Sequence, residues 1–213
     1  MINVRVFFEK TGTVRFISHL DLSRTMTRAL RRTTLPVWYT EGFNKHPYIT
    51  FAAPLSLGYE GLQETMDFRL TQDDVPMQQV CDQLNAVLPQ GLRVLSAAPA
   101  EQKVNAIAAA SYRMYFTCPP QTVEQLLAQP VIEVQKRTKS GGTKAVDLRA
   151  HLQQIASDAP LGCWQVTLPC GSENSLNPSL LVTALQQAFP AQDITCPRIV
   201  RTAVLKKNGE IFK

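Results

Sequence analysis

Residues Arg15–Phe51, RFISHLDLSRTMTRALRRTTLPVWYTEGFNKHPYITF, decide how the rest of the chain is read. Ser18 and Asp21 form a shortened capping box, S-x-x-D, directly before a helical period. The spacing predicts a helix over 19–34. Leu22, Met26, Ala29 and Thr33 share one side with Leu30 flanking, and Arg24, Arg28 and Arg31 share the other with Arg32 at its edge. Leu20 falls on the arginine side. Like charges at i,i+4 cost an isolated helix a few tenths of a kcal/mol. Such a stripe is easier to understand if something anionic neutralises it; the alternative is a solvated face paired to acids elsewhere. Pro36 ends the helix, since it cannot donate and turns Leu35 away from α geometry. Val37-Trp38-Tyr39 reads as a strand, Glu41–Pro47 as a loop, and Tyr48–Phe51 as extended chain. Beside Arg and Lys, Phe43 and Tyr48 suit stacking on bases, while Trp38 reads as core.

Outward from this stretch, Ile2–Phe8 reads as a strand, Gly12 as a hairpin turn and Val14–Ile17 as a second short strand. Thr65–Leu70 alternates as a strand. Pro76 starts a helix with Val80, Leu84, Val87 and Leu88 on its apolar face, Pro89-Gln90-Gly91 stops it, and Leu92–Leu95 is a strand. Residues 1–98 thus follow the split βαβ order. Residues 99–109 connect to a second half, 110–213. There Ser111–Cys118 is a strand, Pro119-Pro120 precedes a helix, and Lys136–Lys144 is a basic hairpin tip. Residues 149–156 suggest a helical turn and Trp164–Leu168 a strand. Asn177-Pro178 caps a helix carrying Leu181, Ala184 and Leu185, and Ile194–Leu205 closes the half. The expected class is α+β, two ferredoxin-like halves with antiparallel sheets covered by helices.

The 213 residues are 45% hydrophobic and 18% charged, a globular composition, with net charge +5. The basic residues are concentrated: eight Lys/Arg against three Asp/Glu in residues 1–50, five against one in 134–150, and five against one in 197–213. If these segments meet in space the molecule is polarised; otherwise they solvate separate edges. Cys81, Cys118, Cys163, Cys170 and Cys196 are widely spaced without a CxxC, so neither a zinc knuckle nor a Cys-ligated iron–sulfur cluster has support. No signal peptide is read and no apolar run approaches ~18 residues, so a cytoplasmic protein with reduced cysteines and no membrane contact is expected.

His19, Asp21 and His46 are the one candidate catalytic cluster. A histidine suits a general base on an RNA 2′-hydroxyl, with Lys45 or an arginine stabilising the phosphorane charge. Two histidines and a carboxylate also suit a metal. Both need the histidines to converge, and Asp21 is equally a capping residue. Lys136, Arg137, Lys139 and Lys144 around Gly141-Gly142 suit a phosphate cradle or a solvated tip. No nucleotide-binding, nucleophile-elbow or zinc-protease motif is present. No cofactor or metal is expected, and the functional case is a surface.

The stretches FISHLDLSRTMTRALRRTTLPVWYTEGFNKHPYITFAAPLSLG and KRTKSGGTKAVDLR resemble the radical-SAM-linked family, an uncharacterised domain that stands alone or follows a radical SAM protein. The resemblance runs close to full length. Where the family has Gly-Phe-Asn-Pro-His-Pro, Lys45 replaces the first proline. The resemblance implies partnership with a radical SAM enzyme that carries the cluster itself. The leading expectation is a non-catalytic module that binds RNA or presents a substrate to that partner. Arg24, Arg28, Arg31, Arg32, Lys45, His46, Phe43, Tyr48 and the hairpin tip would make the contacts. A metal-independent RNA-processing enzyme using His19 or His46, and a protein-docking domain without nucleic acid, are the alternatives.

Overall fold

A computed structural model describes residues 1–138, 141–158, 162–171 and 174–213. It is a mixed α/β structure whose described residues form four α-helices and one large, mostly antiparallel sheet. The first part of the chain runs β1 (Ile2–Lys10), α1 (His19–Arg32), β2 (Ile49–Phe51), β3 (Glu60–Leu70), α2 (Met77–Asn85) and β4 (Leu92–Pro99). The second runs β5 (Ile107–Tyr115), α3 (Pro120–Leu127), the hairpin β6 (Glu133–Arg137) and β7 (Thr143–Asp147), β8 (Gln154–Asp158), β9 (Cys163–Pro169), α4 (Ser179–Ala188) and β10 (Arg198–Lys206). Strand order in the eight-stranded sheet is β4-β1-β3-β10-β5-β9-β8, with β2 beside β3; β6 and β7 pair only with each other.

β3 pairs with β1 along one edge and shares the other between two neighbours. Its C-terminal part pairs antiparallel with β2 at Met66–Phe68, and its N-terminal end pairs parallel with β10 at Glu60 and Gly61. That short parallel contact fuses what the sequence suggests as two sheets into one.

The period-2 rows decide where the apolar surface goes. Val4, Val6 and Phe8 of β1 and Met66, Phe68 and Leu70 of β3 pack with Leu22, Met26 and Leu30 of α1 and Val80 and Leu84 of α2. A second cluster gathers Ala110, Tyr112 and Met114 of β5 with Val123 and Leu126 of α3 and Leu181 and Leu185 of α4. Phe8 lies opposite Glu64, and Tyr112 opposite Arg201, so the bridge between Glu64 and Arg201 joins the helix-covered sides of both clusters.

Several short segments depart from the sequence expectation. Gly12–Phe16 is a 3-10 turn and not a strand. Lys10 Nζ and the Gly58 amide both donate to the Arg15 carbonyl, and the Thr11 amide donates to Gly91, so no ladder forms there. Gly91 sits at φ +91°, where a Cβ would strike the Thr11 carbonyl. Val37 and Tyr39 make only isolated bridges, to Leu70 and Pro47. Within 149–156, Arg149–His151 forms a 3-10 turn, and from Gln154 the chain is the outermost strand, β8.

Candidate functional site

The capping box forms as expected. Ser18 Oγ accepts from the Asp21 amide at 3.1 Å and its hydroxyl donates to Asp21 Oδ2 at 2.7 Å. The apolar side of α1 then turns inward, leaving Arg24, Arg28, Arg31 and Arg32 exposed. Arg24 reaches back to Asp21 at 3.4 Å; both are well exposed, so this pair contributes little. Arg31 Nη2 donates to the Lys45 carbonyl at 3.1 Å, which ties loop 41–48 to the end of the stripe. Lys45 and His46 are exposed in that loop, and the Phe43 ring stands fully in solvent.

The histidines have separate surroundings. His19 meets Phe51 edge-on, with ring centroids 5.0 Å apart. His46 Nδ1 lies 2.8 Å from the Asn44 carbonyl, so that nitrogen carries the proton and donates, with Thr40 Oγ1 3.2 Å away. Among the described residues no three His, Cys, Asp or Glu side chains gather as a metal site would require. Tyr48 is directed to the sheet: it packs edge-on with Trp38, and the Arg69 guanidinium lies 5.3 Å from the Trp38 ring centre and 5.6 Å from that of Tyr48. Trp38 is therefore half-buried in a stacked group and not in the core.

At the hairpin, Lys136, Arg137 and Lys144 flank the turn, and Lys139 lies outside the described residues. Of the amide cradle expected there, the amides of the described residues Thr138, Gly141 and Gly142 are already engaged. The Thr138 amide donates to Gly142, the Gly141 amide to Thr138, and the Gly142 amide to Thr138 Oγ1.

The seam holds functional-looking residues that charge counting missed. Arg201 and Glu64 form a buried pair, and Arg201 also donates to the Ala53 carbonyl. Burial opposes its charge, but the Glu64 carboxylate outweighs this and raises the Arg201 pKa. Burial pushes the neighbouring Tyr112 phenol up to about 12, and lowers Lys10 with Glu64 opposing. Glu60 is shared by Arg198 at 2.8 Å and Arg15 at 3.6 Å. Arg198 and Arg201 of the C-terminal basic segment are thus engaged by buried acids, and Lys206 pairs with the exposed Glu210. No local pattern could have exposed the Arg201 pairing; its partner lies 137 positions away.

A family of uncharacterised proteins conserved in bacteria, DUF2344, matches residues 3–178, most of the chain. The chain belongs to DUF2344. The matched DUF2344 span takes in α1, loop 41–48 and the basic hairpin, and ends before α4 and β10. No curated protein matches the chain.

The five cysteines are free thiols, with Cys81, Cys163 and Cys170 buried. Burial raises the pKa of each of the five. None has the depressed pKa of an activated nucleophile. Among the described residues no helix is long and apolar enough to cross a membrane.

Proposed function

We propose that this chain is a non-catalytic module that binds RNA, or presents a substrate, for a radical SAM enzyme partner. One observation carries the RNA part. The Arg31–Lys45 bond sets four exposed arginines beside an exposed lysine and a fully exposed phenylalanine. Cations spaced along a helix with an aromatic face at one end suit a single strand, the phosphates meeting the arginines and a base stacking on Phe43. Lys136, Arg137, Lys139 and Lys144 would supply further charge. The radical SAM partner rests on the sequence resemblance, with the iron–sulfur cluster on the other polypeptide.

In this reading each half is a ferredoxin-like unit. The strand orders β4-β1-β3-β2 and β10-β5-β9-β8 support that, with the β6–β7 hairpin as an insertion. The test is anisotropy of labelled single-stranded RNA across a salt series. Four phosphate contacts give a slope of log K against log salt of about −3. Arg24/Arg28/Arg31→Glu should abolish binding, and a flat salt response in the wild type would overturn the reading.

A second reading is favoured by Leu20 and Phe16, both more than half exposed, Leu20 lying one turn before Arg24. Arginine with bare apolar side chains is also the composition of a protein-docking patch. Under it, the same triple substitution loses the radical SAM partner in a pull-down while RNA is never bound.

A further inference from the structure

A cleft of 580 Å³ lies where the two halves of the chain meet. Leu55, from the connection between β2 and β3, faces it together with Leu176 and Leu180 at the start of α4. Lys136 and Arg137, from the end of β6, line it as well, and Arg201 contributes from β10. The first part of the chain is anchored here by a polar chain: Tyr59 donates to Asn177 Oδ1 at 2.5 Å, and Asn177 Nδ2 donates to Ser56 Oγ at 3.1 Å. The cleft is therefore built by both halves.

Its electrostatics are one-sided. No Asp or Glu lines it among the described residues. Arg201 is balanced by Glu64, but Lys136 and Arg137 have no carboxylate partner among the described residues. Lys136 is aimed by a 2.6 Å hydrogen bond to the Ser175 carbonyl, which orients the ammonium without neutralising it. A second cleft of 620 Å³ shares the Lys136–Arg137 wall, adds Lys144 and His151, and again has no acid in its described lining.

We propose that the first cleft binds a mononucleotide-sized organic phosphate. Its volume lies within the ~300–1,000 Å³ of ordinary small-molecule sites. Two cations that have no carboxylate partner among the described residues provide charge-assisted hydrogen bonds to a phosphate. Half-exposed Leu180, backed by the buried Leu55 and Leu176, gives an apolar edge that suits a planar, weakly polar body such as a nucleobase better than the hydroxyls of a sugar phosphate. An extended strand fits the convex α1 surface; this concave site takes a compact ligand. The assignment does not rest on the α1 surface, and it gives Lys136 and Arg137 a task apart from strand binding.

The probes are the four ribonucleoside monophosphates, adenosine and inorganic phosphate, read by thermal shift and calorimetry on the full chain. At least one monophosphate should raise the melting temperature, by about 5 °C at a hundredfold excess over Kd. Adenosine should give no shift, and inorganic phosphate a smaller one. Arg137→Ala removes an exposed side chain and leaves the fold intact, and should weaken binding tenfold or more, as should Lys136→Ala. Arg24/Arg28/Arg31→Glu should bind the nucleotide like the wild type, which separates this site from the α1 surface. No shift with any monophosphate, binding by both alanine variants equal to that of the wild type, or adenosine matching its monophosphate would each overturn the proposal.

Discussion

Glu64 and Arg201 hold more of this molecule than their number suggests. Both side chains are almost wholly buried, so removing one leaves an uncompensated charge away from water. Glu64→Gln is expected to cost about 3–5 kcal/mol in urea denaturation, whereas replacing both residues by methionine should recover much of it. Gly61 belongs to the same arrangement, because a Cβ there would overlap the Glu64 carboxylate; Gly61→Ala should act as a milder version of the same break. Tyr112 beside them sets a pH limit. Its phenol is raised from 10.0 to about 12, so the unfolded chain loses this proton first. Stability from Tyr112 is complete below pH 10 and is lost as pH rises towards 12, by roughly 2–3 kcal/mol. Comparing wild type with Tyr112→Phe in denaturant melts at pH 9 and pH 12 isolates that loss, and the phenylalanine variant should lack it. None of this was legible from the sequence, where Arg201 is one of five basic residues in a segment and Glu64 an ordinary strand carboxylate.

Helix α1 shows what local pattern does reveal. Its cap, apolar side and arginine stripe all follow from spacing, and the structure ends it only two residues short of the predicted 19–34. Ser18→Ala should cost about 1 kcal/mol, measured by thermal or urea unfolding. Arg28 stands one turn from both Arg24 and Arg32, so Arg28→Gln should stabilise the free protein by a few tenths of a kcal/mol. If α1 binds RNA as proposed, the same substitution should weaken that binding several-fold, and opposite signs in melting and anisotropy would mark a residue kept for contact. Arg31 and Arg32 differ, since at the C-terminal turn the helix dipole favours them. Other elements were less legible for a physical reason. Val14–Ile17 has strand composition, but its backbone groups are satisfied by Lys10, Gly58 and one another. Gln154–Asp158 lacks a strong alternating pattern and becomes a strand because β9 offers it an edge.

At the scale of the whole molecule, two buried clusters share one sheet through a two-residue parallel contact and the bridges of Glu60 and Glu64. With these bridges intact, calorimetry should record one unfolding transition. Glu60→Gln with Glu64→Gln should split it into two, because the coupling would fall while each cluster keeps its own core. The order of elements in the sequence suggested two halves without a visible sequence repeat; it could not show one continuous sheet, which depends on which part of β3 each neighbour takes. Net charge misled in the same way. Three basic segments are visible in the sequence, yet Arg198 and Arg201 of the C-terminal one are turned to the buried acids Glu60 and Glu64. Joining the halves has a further consequence for behaviour at high concentration. The continuous sheet ends at β4 and β8, with the three-residue β2 as a further short border, and each is a poor template for another chain. β4 ends in Pro99, which has no amide to offer, and β8 is five residues long and stops at a charged Asp158. Edge-to-edge growth into fibres is disfavoured at these borders, so the long sheet carries less of the aggregation hazard its size would otherwise bring.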